Sequence, residues 1–175
     1  MGRPTPILRL PVDFRTFGDP VLVKMLDAAT EYATSIRAGG IGWLSFVGGS
    51  GTGKTYLGEA LTRYLGGKVK HWPRFMGKMR SVGFNVYESV SDLANTKGVL
   101  LLDEIGVGND AKTFGLDLLM QVMESRRSQP TILTSNLTMK GLAEIDGRLA
   151  SRLLRHGQVI ACDTMDYALR QPRTS

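Results

Sequence analysis

Two periodicities alternate along the chain and divide it into helices and strands before any motif is considered. From Val21 to Ile36 the apolar residues Leu22, Met25, Leu26, Ala29, Ala33 and Ile36 recur at helical spacing, and Gly39-Gly40 closes that helix. Trp43-Leu44-Ser45-Phe46-Val47 reads as a short strand, and Tyr56 to Leu65 as a helix ended by Gly66-Gly67. Lys68 to Trp72 reads as a second strand. After Pro73 a short basic helix runs to about Val82, and a segment without clear periodicity continues to Asn95. Val99 to Leu102 is a fully apolar strand, Thr113 to Arg126 an amphipathic helix, Thr131 to Thr134 a strand, Arg148 to Arg155 a helix, and Val159 to Ala161 a last strand. Strands alternating with helices predict an α/β fold with a parallel sheet covered on both faces. Pro4, Pro6, Pro11 and Pro20 punctuate residues 1–20, which are expected to form an extended arm ahead of one domain over residues 21–175.

Composition narrows the class. A chain of 175 residues, 42% apolar and 22% charged, is the size and make-up of a single globular domain. Its apolar runs, such as Val99-Leu100-Leu101-Leu102, are far shorter than a membrane span, and no apolar signal segment opens it, so a cytoplasmic protein is expected. The single cysteine, Cys162, cannot form an internal disulfide and sits beside Ile160 and Ala161 as a small core residue would. A net charge of +6 suits a polyanionic partner and equally suits a solubilising surface.

Chemistry enters at the end of the first strand. Gly48-Gly49-Ser50-Gly51-Thr52-Gly53-Lys54-Thr55 has the G-x-x-x-x-G-K-T spacing, in which glycines let backbone N–H groups turn around phosphate oxygens and the next helix points its positive end at them. Lys54 is then expected to neutralise the β and γ phosphates of ATP, and Thr55 to ligate a magnesium ion. Val99 to Leu102 delivers Asp103 and Glu104 to the ligand-binding end of the sheet, Asp103 for the magnesium and Glu104 as general base toward an attacking water. Asn136, after the next strand, is placed to reach a γ-phosphate or that water, although asparagine is also an ordinary turn residue. Arg148, Arg152 and Arg155 share a helix face, as a solvated basic surface or as the source of an arginine finger. His71 and His156 have no partners at metal-ligand spacing, so magnesium is the only metal expected.

These motifs, in this order, resemble the AAA+ ATPases of the DnaC/IstB branch, the bacterial and phage helicase loaders and transposition helpers. The likeness runs from Phe14-Arg15-Thr16-Phe17-Gly18 through Asp103-Glu104-Ile105-Gly106-Val107 and Thr134-Ser135-Asn136 to Asp166-Tyr167-Ala168-Leu169-Arg170. It implies an AAA+ core of five parallel strands in the order 5-1-4-3-2 without a separate lid domain, and an ATP-dependent oligomer with sites at subunit boundaries. Ser151-Arg152-Leu153 is similar to the family's arginine-finger segment, and Arg170 to a sensor arginine. The resemblance also implies single-stranded DNA on the inner surface and a replicative helicase as partner. In this branch a short helix after the second strand contributes to DNA contact, which falls here on Phe75, Lys78, Met79 and Arg80. Trp72 and Phe75 either stack bases there or belong to the core. The chain departs from helicase loaders in having only about 40 residues before its first strand, too few for a helicase-binding domain. A transposase-helper ATPase, or a slow nucleotide-gated DNA-binding switch, remains the alternative; a small-molecule kinase lacks a recognisable acceptor pocket.

Overall fold

Strand residues alternate between the two faces of a sheet, and here that alternation sorts the core into two halves. The computed structural model describes residues 10–81, 85–106 and 114–170. Its strands are β1 (Trp43–Val47), β2 (Lys68–His71), β3 (Leu100–Asp103), β4 (Thr131–Ser135) and β5 (Gly157–Ala161). They form one sheet in the order β2-β3-β4-β1-β5, every pair parallel, which is the expected 5-1-4-3-2 order read from its other edge. Leu44, Phe46, Leu101, Ile132 and Ile160 face one side. They pack there with Leu22, Met25, Ala28, Ala29 and Ala33 of α1 (Pro20–Arg37) and Leu57 and Leu61 of α2 (Lys54–Tyr64). Trp43, Val47, Leu100, Leu102 and Leu133 face the other side, against α3 (Trp72–Met79), α4 (Val86–Ala94), α5 (Phe114–Ser125), α6 (Met139–Ile145) and α7 (Gly147–His156). β1, β3 and β4 are buried along their whole length because both faces are covered, so none of them alternates between apolar and polar residues.

Helix ends follow their capping residues. Asp19, Asn85, Thr138 and Asp146 each accept a backbone N–H at the start of a helix, and Pro20 occupies the first turn of α1. His71 does the same for α3 through its imidazole. Residues 10–19 of the expected arm form no helix or strand and dock through buried Leu10 and Phe14 into the α1/α2 half of the core. Residues 1–9, Val82, Val107 and Thr113, which also entered the sequence reading, lie outside the described residues.

The segment up to Asn95 contains α4, and α6 precedes α7, neither of which the periodicity marked. Arg126, immediately after α5, is fully buried. Its guanidinium donates to the carbonyls of Thr96 (2.6 Å), Gly98 (2.8 Å) and Pro130 (2.9 Å) and to Thr131 Oγ1 (3.0 Å), tying the loops at the end of the sheet away from the glycine loop. Burial lowers its pKa to about 10, which leaves it charged at neutral pH. Among the described residues no helix is long and apolar enough to cross a membrane.

Candidate active site

β1 ends in the glycine loop, and the loop feeds α2. Gly51 (φ 75°) and Gly53 (φ 89°) adopt left-handed backbone that suits glycine. A Cβ on Gly53 would lie 2.9 Å from Phe14 Cε2, and one on Gly51 would strike the Asp166 carboxylate. Gly53 occupies the N-cap position of α2 without any side-chain cap, so the first N–H groups of that helix remain for an anion. Lys54 is buried, with its ammonium donating to the Gly49 carbonyl and 3.4 Å from Thr52 Oγ1. Burial lowers its pKa, while the thiol of Cys162 and the carboxylates of Asp163, Asp103 and Glu104 oppose that shift. A buried cation bonded to neutral oxygens fits a phosphate group.

Asp103 and Glu104 close the site from β3. Thr55 Oγ1 donates to Asp103 Oδ1 at 2.8 Å and Thr134 Oγ1 to the same oxygen at 2.6 Å. With its proton committed to Asp103, the Thr55 hydroxyl has lone pairs left for a cation, and this oxygen donor set fits magnesium. The Glu104 carboxylate is held at both oxygens: Asn136 Nδ2 donates to Oε1 at 3.2 Å, and His71 Nε2 lies 2.8 Å from Oε2. His71 Nδ1 accepts the Arg74 N–H at 3.3 Å, so in the neutral imidazole the hydrogen sits on Nε2 and points at Glu104. Lys54, Thr55, Asp103, Glu104 and Asn136, expected together from sequence, are therefore brought together.

The cavity above this cluster has a volume of about 490 Å³ and is lined by residues 51–56, Asn136, Asp166, Tyr167 and Ala168. A second cavity of about 420 Å³ shares Gly53, Tyr56 and Tyr167 with it and adds Asp13, Phe14 and Arg15. Tyr167 stacks on Phe14 with ring centroids 5.4 Å apart, donates its N–H to the Gly51 carbonyl at 2.6 Å and accepts the Arg15 N–H at its hydroxyl at 2.7 Å. Asp163 Oδ1 accepts the Gly49 N–H at 3.3 Å. The segment 162–170 thus joins the glycine loop to residues 13–19, and Phe14, Tyr56 and Tyr167 give the second cavity an aromatic lining. His71 and this lining join the site although the sequence motifs assign them no role there. The aromatics of the strap and closing segments are visible in sequence, whereas His71 reaches the site only through the register that pairs it with Asp103 across β2 and β3.

Other expected site residues lie elsewhere. Arg170 donates to Asp19 Oδ2 at 2.5 Å and to Thr164 Oγ1 at 2.6 Å and does not line either cavity. Arg152 is ion-paired with Glu124 of α5, and Arg148 with Asp146, so α7 turns neither toward the site of its own chain. Phe75 is 6% exposed and Trp72 3%, both in the core, which removes Phe75 as a surface for base stacking. Lys78 is exposed on α3, and Arg80 is exposed at the C-cap that follows it. Burial pushes the Cys162 thiol up to about 12, in keeping with a core residue.

The profile of the ATPase family associated with various cellular activities, AAA, matches residues 44–160, from β1 through β5. The chain belongs to the AAA family. Comparison of the AAA chain with curated protein sequences gives no match. Among solved structures it is similar to DnaI, at a TM-score of 0.70 and 20% identity over 89% of this chain and 87% of that one. The DnaC helicase loader gives 0.69 and 17% over 83% and 92%. The replication initiator DnaA bound to AMPPCP and single-stranded DNA gives 0.59 and 17% over 78% and 46%. At these identities the likeness is one of fold, and it places the AAA chain's sheet and glycine loop in a frame that carries nucleotide in a neighbour.

Proposed function

We propose that this AAA chain is a magnesium-dependent ATPase of DNA replication, a helicase loader that binds single-stranded DNA as an ATP-dependent oligomer. The observation that carries the hydrolytic part is the closed arrangement of Thr55, Asp103, Glu104 and Asn136 beneath a cavity whose rim is the glycine loop. Lys54 and the N-terminus of α2 bind the triphosphate. Thr55 and Asp103 would hold magnesium, which when bound would supply charge neutralisation on the triphosphate. Glu104 takes a proton from the attacking water as the γ-phosphorus–oxygen bond to ADP breaks, and Asn136 orients that water and the carboxylate. Arg152 of a neighbouring copy completes the site after leaving Glu124, and Arg170 fixes the closing segment to Asp19.

The loader reading draws on the shared fold with the DnaC helicase loader and on the charge of the sheet edge. Lys68, Lys70 and Lys78 surround a cavity of about 490 Å³ between β2, α3 and α4, with Asp92 as the opposing charge. Lys70 lies 5.2 Å above the Phe75 ring, so Phe75 supports a phosphate-binding lysine from beneath. Lys78 and Arg80 extend the basic surface along α3.

The test is ATP hydrolysis across a protein-concentration series, with and without single-stranded DNA, alongside mass measurement with an ATP analogue. Specific activity that rises with concentration and DNA, with a larger species in the presence of nucleotide, is the expected result. Activity blind to both leaves an AAA ATPase and removes the loader.

A further inference from the structure

Thr134, the fourth residue of β4, is 2% exposed and meets three successive residues of the turn that ends β3. Its hydroxyl donates to Asp103 Oδ1 at 2.6 Å and accepts the Glu104 N–H at 2.9 Å, while its carbonyl accepts the Ile105 N–H at 2.9 Å. One hydroxyl has one proton, so these contacts fix its direction: proton to the carboxylate, lone pair to the amide. Glu104 lies at φ 63°, a left-handed conformation that a glutamate does not choose unaided, and it is held there between the Asp103 and Ile105 contacts of Thr134. That backbone turn sends the Glu104 carboxylate to Asn136 and His71. Asp103 Oδ1 takes hydroxyl protons from Thr55 on one side and Thr134 on the other, which leaves Oδ2 without a hydrogen-bond partner among the described residues. The Thr134 methyl reaches the other way, 3.5 Å from where a Cβ on Gly58 of α2 would lie.

We propose that Thr134 is a positioning residue for hydrolysis, setting both carboxylates at once: Asp103 through its side chain and Glu104 through its backbone. The proposal rests on the ATPase reading above. It separates two parts of one side chain, since valine keeps the shape and loses the hydroxyl, and serine keeps the hydroxyl and loses the methyl.

The experiment compares wild type, T134V and T134S in two assays. In steady-state ATP hydrolysis, kcat of T134V is expected to fall about 10- to 100-fold with KM within about threefold, and T134S to stay within about threefold of wild type in both. In the second assay the non-hydrolysable analogue AMPPCP is bound at increasing magnesium, and the half-saturating magnesium concentration is expected to rise about tenfold in T134V and to hold in T134S. Equal losses in T134V and T134S overturn the proposal in favour of packing, as does a T134V loss confined to KM or an unchanged T134V. Should wild type bind AMPPCP and hydrolyse no ATP, the ATPase reading fails on its own, and the magnesium dependence still decides whether Thr134 holds Asp103.

Discussion

The Glu104 carboxylate donates nothing and accepts twice, once from β2 through His71 and once from the end of β4 through Asn136, so its position depends on two strands that are not its own. A general base is effective only when one lone pair faces the water; each Glu104 oxygen keeps a lone pair beside its present bond, and the bond to His71 sets which way the carboxylate presents it. Glu104→Gln keeps the shape and removes the base, so kcat is expected to fall about 100-fold or more while AMPPCP affinity stays within about threefold. Equal loss of binding and turnover in that variant would move the base elsewhere. His71→Ala frees Oε2 and removes the cap of α3. Basal hydrolysis is expected to rise about 3- to 10-fold, with a loss of about 1 kcal/mol in stability from the missing cap, measured by steady-state kinetics and urea denaturation. Lower turnover would mean that the imidazole supports catalysis, and unchanged turnover that it neither supports nor restrains it.

At the scale of elements, two charged contacts hold pieces of chain that are distant in sequence. Asp19 caps α1 and also receives Thr164 at 2.5 Å and Arg170 at 2.5 Å, so the closing segment is fixed to the strap. The Thr164 hydroxyl, helped by Arg170 and the Leu22 and Val21 N–H groups and opposed by burial, holds the Asp19 carboxyl down from 3.8 to about 2. A carboxylate with a depressed folded pKa stabilises above its unfolded pKa and loses that contribution as pH falls through the folded one. The difference in thermal midpoint between wild type and Asp19→Asn is therefore expected to be constant above about pH 4 and to shrink between about pH 4 and pH 2. A difference that is flat down to pH 2 would show that the clamp does not depend on the charge. Arg126 acts on the other end of the sheet: Arg126→Met leaves the carbonyls of Thr96 and Gly98 without their donor and the Pro130 carbonyl with the Leu100 N–H alone, which is expected to cost about 3 kcal/mol or more in urea denaturation, with AMPPCP affinity retained. A loss below about 1 kcal/mol would mean that water replaces the guanidinium.

These contacts also show where sequence reading stops. β1 and β4 are legible because each is an unbroken buried run between turn residues, and the glycine loop because its spacing has few other uses. α6 has only seven residues and buries only Leu142, too little for a helical period to show. His71 meets Glu104 only because β2 pairs with β3 in the register that sets His71 beside Asp103, and Arg170 finds Asp19 across 151 positions of chain. Trp72 and Phe75 are undecidable from sequence, since an aromatic beside lysines suits a nucleic-acid surface and a core equally well. Their burial follows from α3 lying against the same sheet face as α4 and α5.

For the whole molecule, the charge of +6 gains meaning from where the lysines stand. β2 is an edge strand, and lysines on an edge have a use without any ligand, because they discourage pairing with another chain. Lys68 and Lys70 have that ordinary reading, yet Lys78 comes to the same cavity from α3, which blunting an edge does not require. The two readings differ in how binding responds to salt, since each phosphate neutralised on single-stranded DNA adds about 0.7 to the slope of log K against log salt concentration. The pair Lys68→Glu and Lys78→Glu is expected to weaken single-stranded DNA binding and to reduce that slope by about 1.4, measured by fluorescence anisotropy from about 50 to 200 mM salt. An unchanged slope would leave the β2 lysines as guards of the sheet edge and put the phosphate contacts on another face.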